Sequence, residues 1–211
     1  MPIVDNGIER FEFHEYKPVA RTNLNSAKEI RINIEQQDLF TLPFEAYLLF
    51  EGQLVKLAGG TAYANTDAVT LTNNGNMHLF SQISYQLSNQ DIETIYHPGQ
   101  ATTMLGMFKY PNDFQLVQGL NQLWYKDTAT TAVLADNSGF ALRQAYIVQK
   151  PTTKGIFSFC IPLRHIFRFC DDYDKVVYGF KHTITLVRKS DDDAIFKLAA
   201  AALGKVNLNK V

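Results

Sequence analysis

Between Asn76 and Tyr110 the hydrophobic period changes twice, and this stretch, NMHLFSQISYQLSNQDIETIYHPGQATTMLGMFKY, constrains the fold most. Leu79, Ile83, Tyr85 and Leu87 are interleaved with Ser81, Ser84 and Gln86. That suits a half-buried strand, with a slip in phase near Gln82 of the kind a bulge absorbs. Ser88-Asn89-Gln90 is a polar tip, and Ile92 and Ile95 return apolar, so the segment predicts a hairpin. His97-Pro98-Gly99 ends it, because proline cannot continue a ladder. From Ala101 to Phe108 the period becomes helical, with Met104, Leu105, Met107 and Phe108 near one face. This reads as a plug that covers one end of a sandwich.

Strand signals recur on both sides. Residues 1–28 read as an irregular arm that docks on the core or on a neighbour, with Phe11, Phe13 and Tyr16 as contacts. Ile30, Ile32 and Ile34 alternate in a strand from Glu29 to Gln36. Ala46 to Phe50 is a second strand, turned at Glu51-Gly52-Gln53, with Leu54 to Leu57 returning. Ala58 to Ala68 reads as a loop, Val69 to Leu71 as a short strand, and Asn74-Gly75 as a tight turn. Residues 111–138 form a partly helical insertion. Phe140 to Gln149, Gly155 to Ile161, Val176 to Arg188 and Val206 to Val211 read as strands, and Leu163 to Phe169 as a helical turn or two. Asp191-Asp192-Asp193 caps a predicted helix AIFKLAAAALG that ends at Gly204.

About eight short strands with short helices in the connections, and no βαβ rhythm, predict an all-β, antiparallel two-sheet sandwich of jelly-roll type. The expected organisation is an arm, 1–28, and a single domain, 29–211. The chain has 211 residues, 46% hydrophobic and 19% charged, enough for a substantial core. A formal net charge of −1, with no segment that collects five or six like charges, argues against nucleic-acid binding by phosphate neutralisation. Two cysteines imply no disulfide framework. MPIVDNGIERF lacks the basic and apolar regions of a signal peptide, and no apolar run is long enough to span a membrane. A reducing, soluble compartment is the expectation.

The residues that could carry chemistry all have simpler readings. Cys160, His165 and Cys170 lack the tight pairing of a zinc site, and read as two buried thiols and a partly exposed histidine. Cys170, His165 and Asp171 would make a nucleophilic trio only if a pocket oriented them. Asp191 to Asp193 lack the spaced acids of a calcium loop. His14, His78, His97 and His182 are scattered, and no phosphate-loop, metalloprotease or nucleophile-elbow motif occurs. Trp124 and Tyr125 suggest a sugar- or base-stacking platform, or, preferably, a loop or subunit contact. No catalytic, cofactor-binding or metal residue is therefore assigned.

The block LTNNGNMHLFSQISYQLSNQDIETIYHPGQATTMLGMFKYP resembles the double jelly-roll-like proteins related to the major capsid proteins of Polinton/Maverick and adintovirus-type elements. Supporting blocks are EIRINIEQQDLFTLP, FSFCIPLRHIFRFCDDYDKVVYGFKHTITLVR and DDDAIFKLAAAALGKVNLNKV. The resemblance implies a jelly roll, self-association into trimeric capsomers, other capsid proteins as further partners, and a place in the virion after synthesis in host cytoplasm or nucleus. It carries no catalytic residues. In that family a second roll follows a segment like GKVNLNKV, so this chain resembles the first roll. The alternative is a non-enzymatic carbohydrate- or ligand-binding jelly roll using Trp124 and Tyr125.

Overall fold

The computed structural model describes residues 10–19, 24–25, 29–35 and 38–211. The rest of the predicted arm and the end of the first strand at Gln36 lie outside the described residues. In chain order the strands and α-helices are β1 (Glu29–Ile34), β2 (Phe40–Thr41), β3 (Tyr47–Lys56), β4 (Val69–Leu71), β5 (Phe80–Leu87), β6 (Gln90–Tyr96), α1 (Pro98–Lys109), α2 (Phe114–Val117), α3 (Ser138–Ile147), β7 (Ile156–Pro162), α4 (Arg168–Asp172), β8 (Val177–Tyr178), β9 (His182–Arg188), β10 (Ile195–Lys197) and β11 (Gly204–Lys210).

Every strand pair is antiparallel. One sheet runs β1-β9-β5-β6 and a second β11-β3-β7, while β4-β10 and β2-β8 form two short ribbons. In the first sheet Ile30, Leu186 and Ile83 lie across from one another, and Ile32, Ile184 and Tyr85 form the next row. In the second, Leu48 faces Ile161 and Phe50 faces Phe159, and Leu54 faces Val206. All twelve side chains are buried in one shared core, and the Phe50 and Phe80 rings meet between the sheets at 5.7 Å. Alternation thus selects the inner face of each sheet, and the two inner faces remove each other from water at about 25 cal/mol per Å² of apolar area.

The opening hairpin forms as the sequence implies. The register of β5 against β9 slips between Phe80 and Gln82. Ser88 and Asn89 both take positive φ, as a two-residue turn with the twist of the strands requires. His97 sits in the left-handed region at the N-terminal boundary of α1, and Pro98 opens the helix at a position where its missing N–H costs nothing.

The helix itself is turned the other way round from the expected plug. Met104, Leu105, Met107 and Phe108 are exposed, and Pro98, Gly99, Thr102 and Gly106 are buried. Small residues face inward because large rings lie directly on the helix backbone. A Cβ at Gly106 would stand 2.4 Å from the Trp124 ring, and one at Gly99 2.4 Å from the His78 ring.

Four other expectations fail for identifiable reasons. Glu51-Gly52-Gln53 does not turn, and β3 is one continuous strand. Gly52 is there for close approach: a Cβ would meet the Asn207 carbonyl oxygen at 2.6 Å and the Phe157 ring at 2.7 Å. Residues 140–149 are not a strand but belong largely to α3, with Phe140, Arg143, Gln144 and Ile147 buried at helical spacing and Asn137 capping Phe140 N–H at 3.0 Å. The predicted strand from Val176 to Arg188 divides into β8 and β9 around Gly179, whose φ of 77° interrupts extended backbone. The alanine-rich helix does not form. Asp191–Asp193 is a single 3₁₀ turn, Ile195, Phe196 and Lys197 pair with Leu71, Thr70 and Val69, and Gly204 opens β11. Sheet pairing and the edge-on contact of Phe196 with Phe140 override alanine's helix propensity, a preference of a few tenths of a kcal/mol per residue over most other residue types.

A chain beginning at Val69 would lose β1, which pairs β9, and β3, which separates β7 from β11. Such a truncation is expected to show no cooperative thermal transition by circular dichroism, whereas residues 29–211 should retain one.

Candidate functional site

Buried polar side chains are the first place to seek chemistry. His182, the first residue of β9, is buried, with Nε2 2.8 Å from Thr41 Oγ1 and Nδ1 2.6 Å from Tyr85 Oη. Thr41 Oγ1 also donates to the Val177 carbonyl at 3.0 Å. Its one proton is therefore committed, so His182 Nε2–H donates to Thr41 and Nδ1 accepts from the tyrosine. Burial lowers the His182 pKa and raises that of Tyr85, so the chain stays neutral. It fastens the β2–β8 ribbon to β5 and β9.

The Cys160, His165, Cys170 set does not assemble as a site. His165 is buried, not partly exposed, and its Nδ1 bonds Gln122 Oε1 at 2.9 Å. Its pKa is held down to about 4, by burial first and then by Arg164 and Lys109. Cys170 is fully buried, and its thiol is pushed up to about 12 by burial and then by Glu93. A thiol so poised carries almost no thiolate at neutral pH. Asp171 pairs with Lys109 at 2.5 Å and does not orient the histidine. Cys160 is half-buried in β7.

The acidic run is also structural. Asp191 accepts Val206 N–H at 2.7 Å and Arg188 Nη2 at 2.9 Å, fixing the turn to β11, and Asp193 pairs with Lys189. Among the described residues no three His, Cys, Asp or Glu side chains converge as a metal centre needs. Of the other histidines, His14 lies in the exposed arm, His97 begins α1, and His78 packs on Gly99. Trp124 is 1% exposed, so it cannot stack on a sugar or a base. It packs edge-on against Tyr110 and Phe114 within the insertion. Tyr125 is half-buried, and its backbone N–H donates to Asn73 Oδ1.

A network that the sequence reading missed holds the insertion. Arg143 is fully buried and donates Nε to the Leu71 carbonyl at 2.9 Å, Nη1 to the Tyr125 carbonyl, and Nη2 to Asp127 at 2.6 Å. Asn137 Nδ2 donates to Asp127 Oδ1 and to the carbonyls of Ala129 and Thr131, while its Oδ1 accepts from Thr128 N–H. The signal for both was Asn137 at a cap position, followed by helical spacing through Ile147.

What remains for function is the surface. Arm residues Phe11 and Phe13 lie exposed, with Phe13 6.3 Å from the Tyr47 ring. The Phe40 and Tyr178 rings meet across β2 and β8 at 4.8 Å, tilted by 35°, and both are more than half exposed. α1 adds its outward apolar face. A small polar cleft between β3 and the insertion is lined by Tyr47, Gln118, Asn121, Gln122, Arg164 and His165. These are contact features on a rigid two-sheet frame.

Two packed antiparallel sheets with short helices at their ends define a jelly-roll-like domain. The sequence model of the double jelly roll-like domain matches residues 69–211, and the chain belongs to that family. The crystal structure of the mavirus major capsid protein is similar over 99% of this chain and 48% of that one, with 13% identity and a TM-score of 0.49. A quasi-atomic model of the PBCV-1 virus capsid is similar over 95% of this chain and 43% of that one, with 10% identity and a TM-score of 0.39. The chain therefore spans less than half the length of the solved chains it resembles. No curated protein matches it.

Two outcomes follow. Tyr85→Phe leaves His182 Nδ1 buried without its donor and is expected to destabilise the fold by about 1–3 kcal/mol in chemical denaturation. His165 has a folded pKa near 4 against an ordinary value of 6.5, so the unfolded chain binds the extra proton between those limits. Stability should fall as pH drops from 6.5 towards 4, by at most ~1.4 kcal/mol per pH unit from this group. His165→Gln should flatten the slope, leaving the contributions of half-buried His78 and buried His182, whose pKa values burial also lowers, and towards pH 4 those of Asp67 and Asp193, held low by hydrogen bonds to Ala64 N–H and Lys189.

Proposed function

We propose that this chain is a structural, non-enzymatic subunit: a jelly-roll capsid protein, viral or virus-derived and host-domesticated, that self-associates into capsomers or a shell. The observation that carries the reading is the set of exposed aromatic and aliphatic side chains on a fold of the double jelly roll-like family. Contiguous exposed apolar patches, such as the outward face of α1, mark surfaces through which proteins associate. The polar groups with catalytic potential are committed elsewhere, His182 to Tyr85 and Thr41, His165 to Gln122, and Asp171 to Lys109. A net charge of −1 suits subunits that must pack closely without mutual repulsion.

In this reading the capsomer is a trimer, residues 29–211 act as one roll behind an arm of residues 1–28, and the assembled location is the virion. The elements would be of Polinton or adintovirus type, as the resemblance implies. Partners are further copies of the chain and other capsid proteins, with no direct contact to nucleic acid. The carbohydrate-binding alternative loses its main support because Trp124 lies in the interior.

Native mass spectrometry and negative-stain imaging of the purified chain test this. Trimers, or larger closed particles, are expected at micromolar concentration. A strictly monomeric chain at every salt concentration and pH tried would overturn it.

A further inference from the structure

The outward face of α1 is unusual among the exposed surfaces because it is both large and uncharged. With 100° between successive residues, Met107, Gln100, Met104, Phe108, Ala101 and Leu105 fall in one continuous arc of the helix. The opposite arc, Pro98, Thr102, Gly106 and Gly99, is buried against Trp124 and His78. The helix therefore has its larger apolar residues in water and its small ones in the core, the reverse of an ordinary surface helix. Phe108 is 87% exposed. Leu116 and Val117 in α2 and Leu120 in the turn after it are also exposed.

We propose that this stripe is a contact between two copies of the chain related by a two-fold axis. Charge is the first argument. From Pro98 to Asn121 the charged residues are Lys109, already paired with Asp171, and Asp113. An uncharged apolar surface can meet its own copy with little like-charge repulsion, which an isologous contact requires. Area is the second. The four large residues of the arc, Met104, Leu105, Met107 and Phe108, leave on the order of 400 Å² in water at their fractional exposures. That falls in the ~300–600 Å² range of functional apolar patches and is about half of the ~800 Å² each partner buries in a standard interface, the size of an apolar centre inside a polar rim. Rigidity is the third. The helix cannot roll to hide its stripe, because Gly99 and Gly106 are pressed against rings and Asn74 bonds Thr102 at 2.7 Å.

This deepens the shell-subunit reading and rests on it, by naming one surface through which copies meet. A trimer would require other, non-identical surfaces, so the α1 contact would join copies from different capsomers. Sedimentation velocity on the wild-type chain and on Phe108→Asp, Met104→Glu and Leu203→Asp tests it. Leu203 is also exposed and lies outside the stripe, and melting curves should show all three variants folded.

The expected result is at least tenfold weaker association for Phe108→Asp and Met104→Glu, with Leu203→Asp unchanged. If both stripe variants associate like the wild type, the contact is overturned while the capsid reading stands. Equal loss in Leu203→Asp also overturns it, since position would then not matter. A wild-type chain that never associates overturns both.

Discussion

The pairing of β9 with β1 on one side and β5 on the other is the interaction on which the rest depends. It brings residues near position 30 against residues near 185, with a strand from the middle of the chain on the far side. Leu186 and Ile184 carry the centres of the two apolar rows, so the inner face of the sheet is complete only when all three strands are present. The second sheet is likewise centred on an early strand, β3, held between β11 and β7. Loop-closure entropy must be overcome before either sheet gains its packing energy, which places the domain among slow folders of high contact order.

The polar groups inside this frame act as fasteners. His182 with Thr41 and Tyr85, Arg143 with Leu71, Tyr125 and Asp127, and Asp191 with Val206 each join segments distant along the chain or on different elements. Each is satisfied by partners that would otherwise be costly to bury alone. The resulting scaffold is stiff where it is irregular. The long insertion, in particular, is positioned by a buried arginine and a capping asparagine and not by sheet structure.

Much of the sandwich was legible because its alternation is strict. Ile30 and Ile32, the β5 bulge near Gln82, the Ser88-Asn89 tip and the β7 core residues follow from period and turn chemistry alone. The failures share one cause: a short-range signal was outvoted by a distant partner. Gly52 looks like a turn until Phe157 and Asn207 are brought against it, and the alanine run looks helical until β4 lies beside Ile195 to Lys197. The direction of α1 was readable in principle. Gly99, Thr102 and Gly106 share a helical face, and small residues mark where something large must come close. Period identifies an apolar face but not whether it points inward, and so surface contacts were the least legible feature.

The strand β6 ends the first sheet, and its outer edge carries Asp91 and Glu93. Glu93 reaches from this edge to the start of α4, where its two carboxylate oxygens accept the backbone N–H groups of Arg168 and Phe169 at 3.1 and 2.9 Å. Charged side chains on an edge strand, here with α4 tied against it, discourage another strand from adding alongside. Growth of the sheet from copy to copy would be open-ended, as in a fibre. In the shell-subunit reading copies meet instead through discrete side-chain patches, and discrete patches have a finite valence. A finite valence is what allows an association to close on itself.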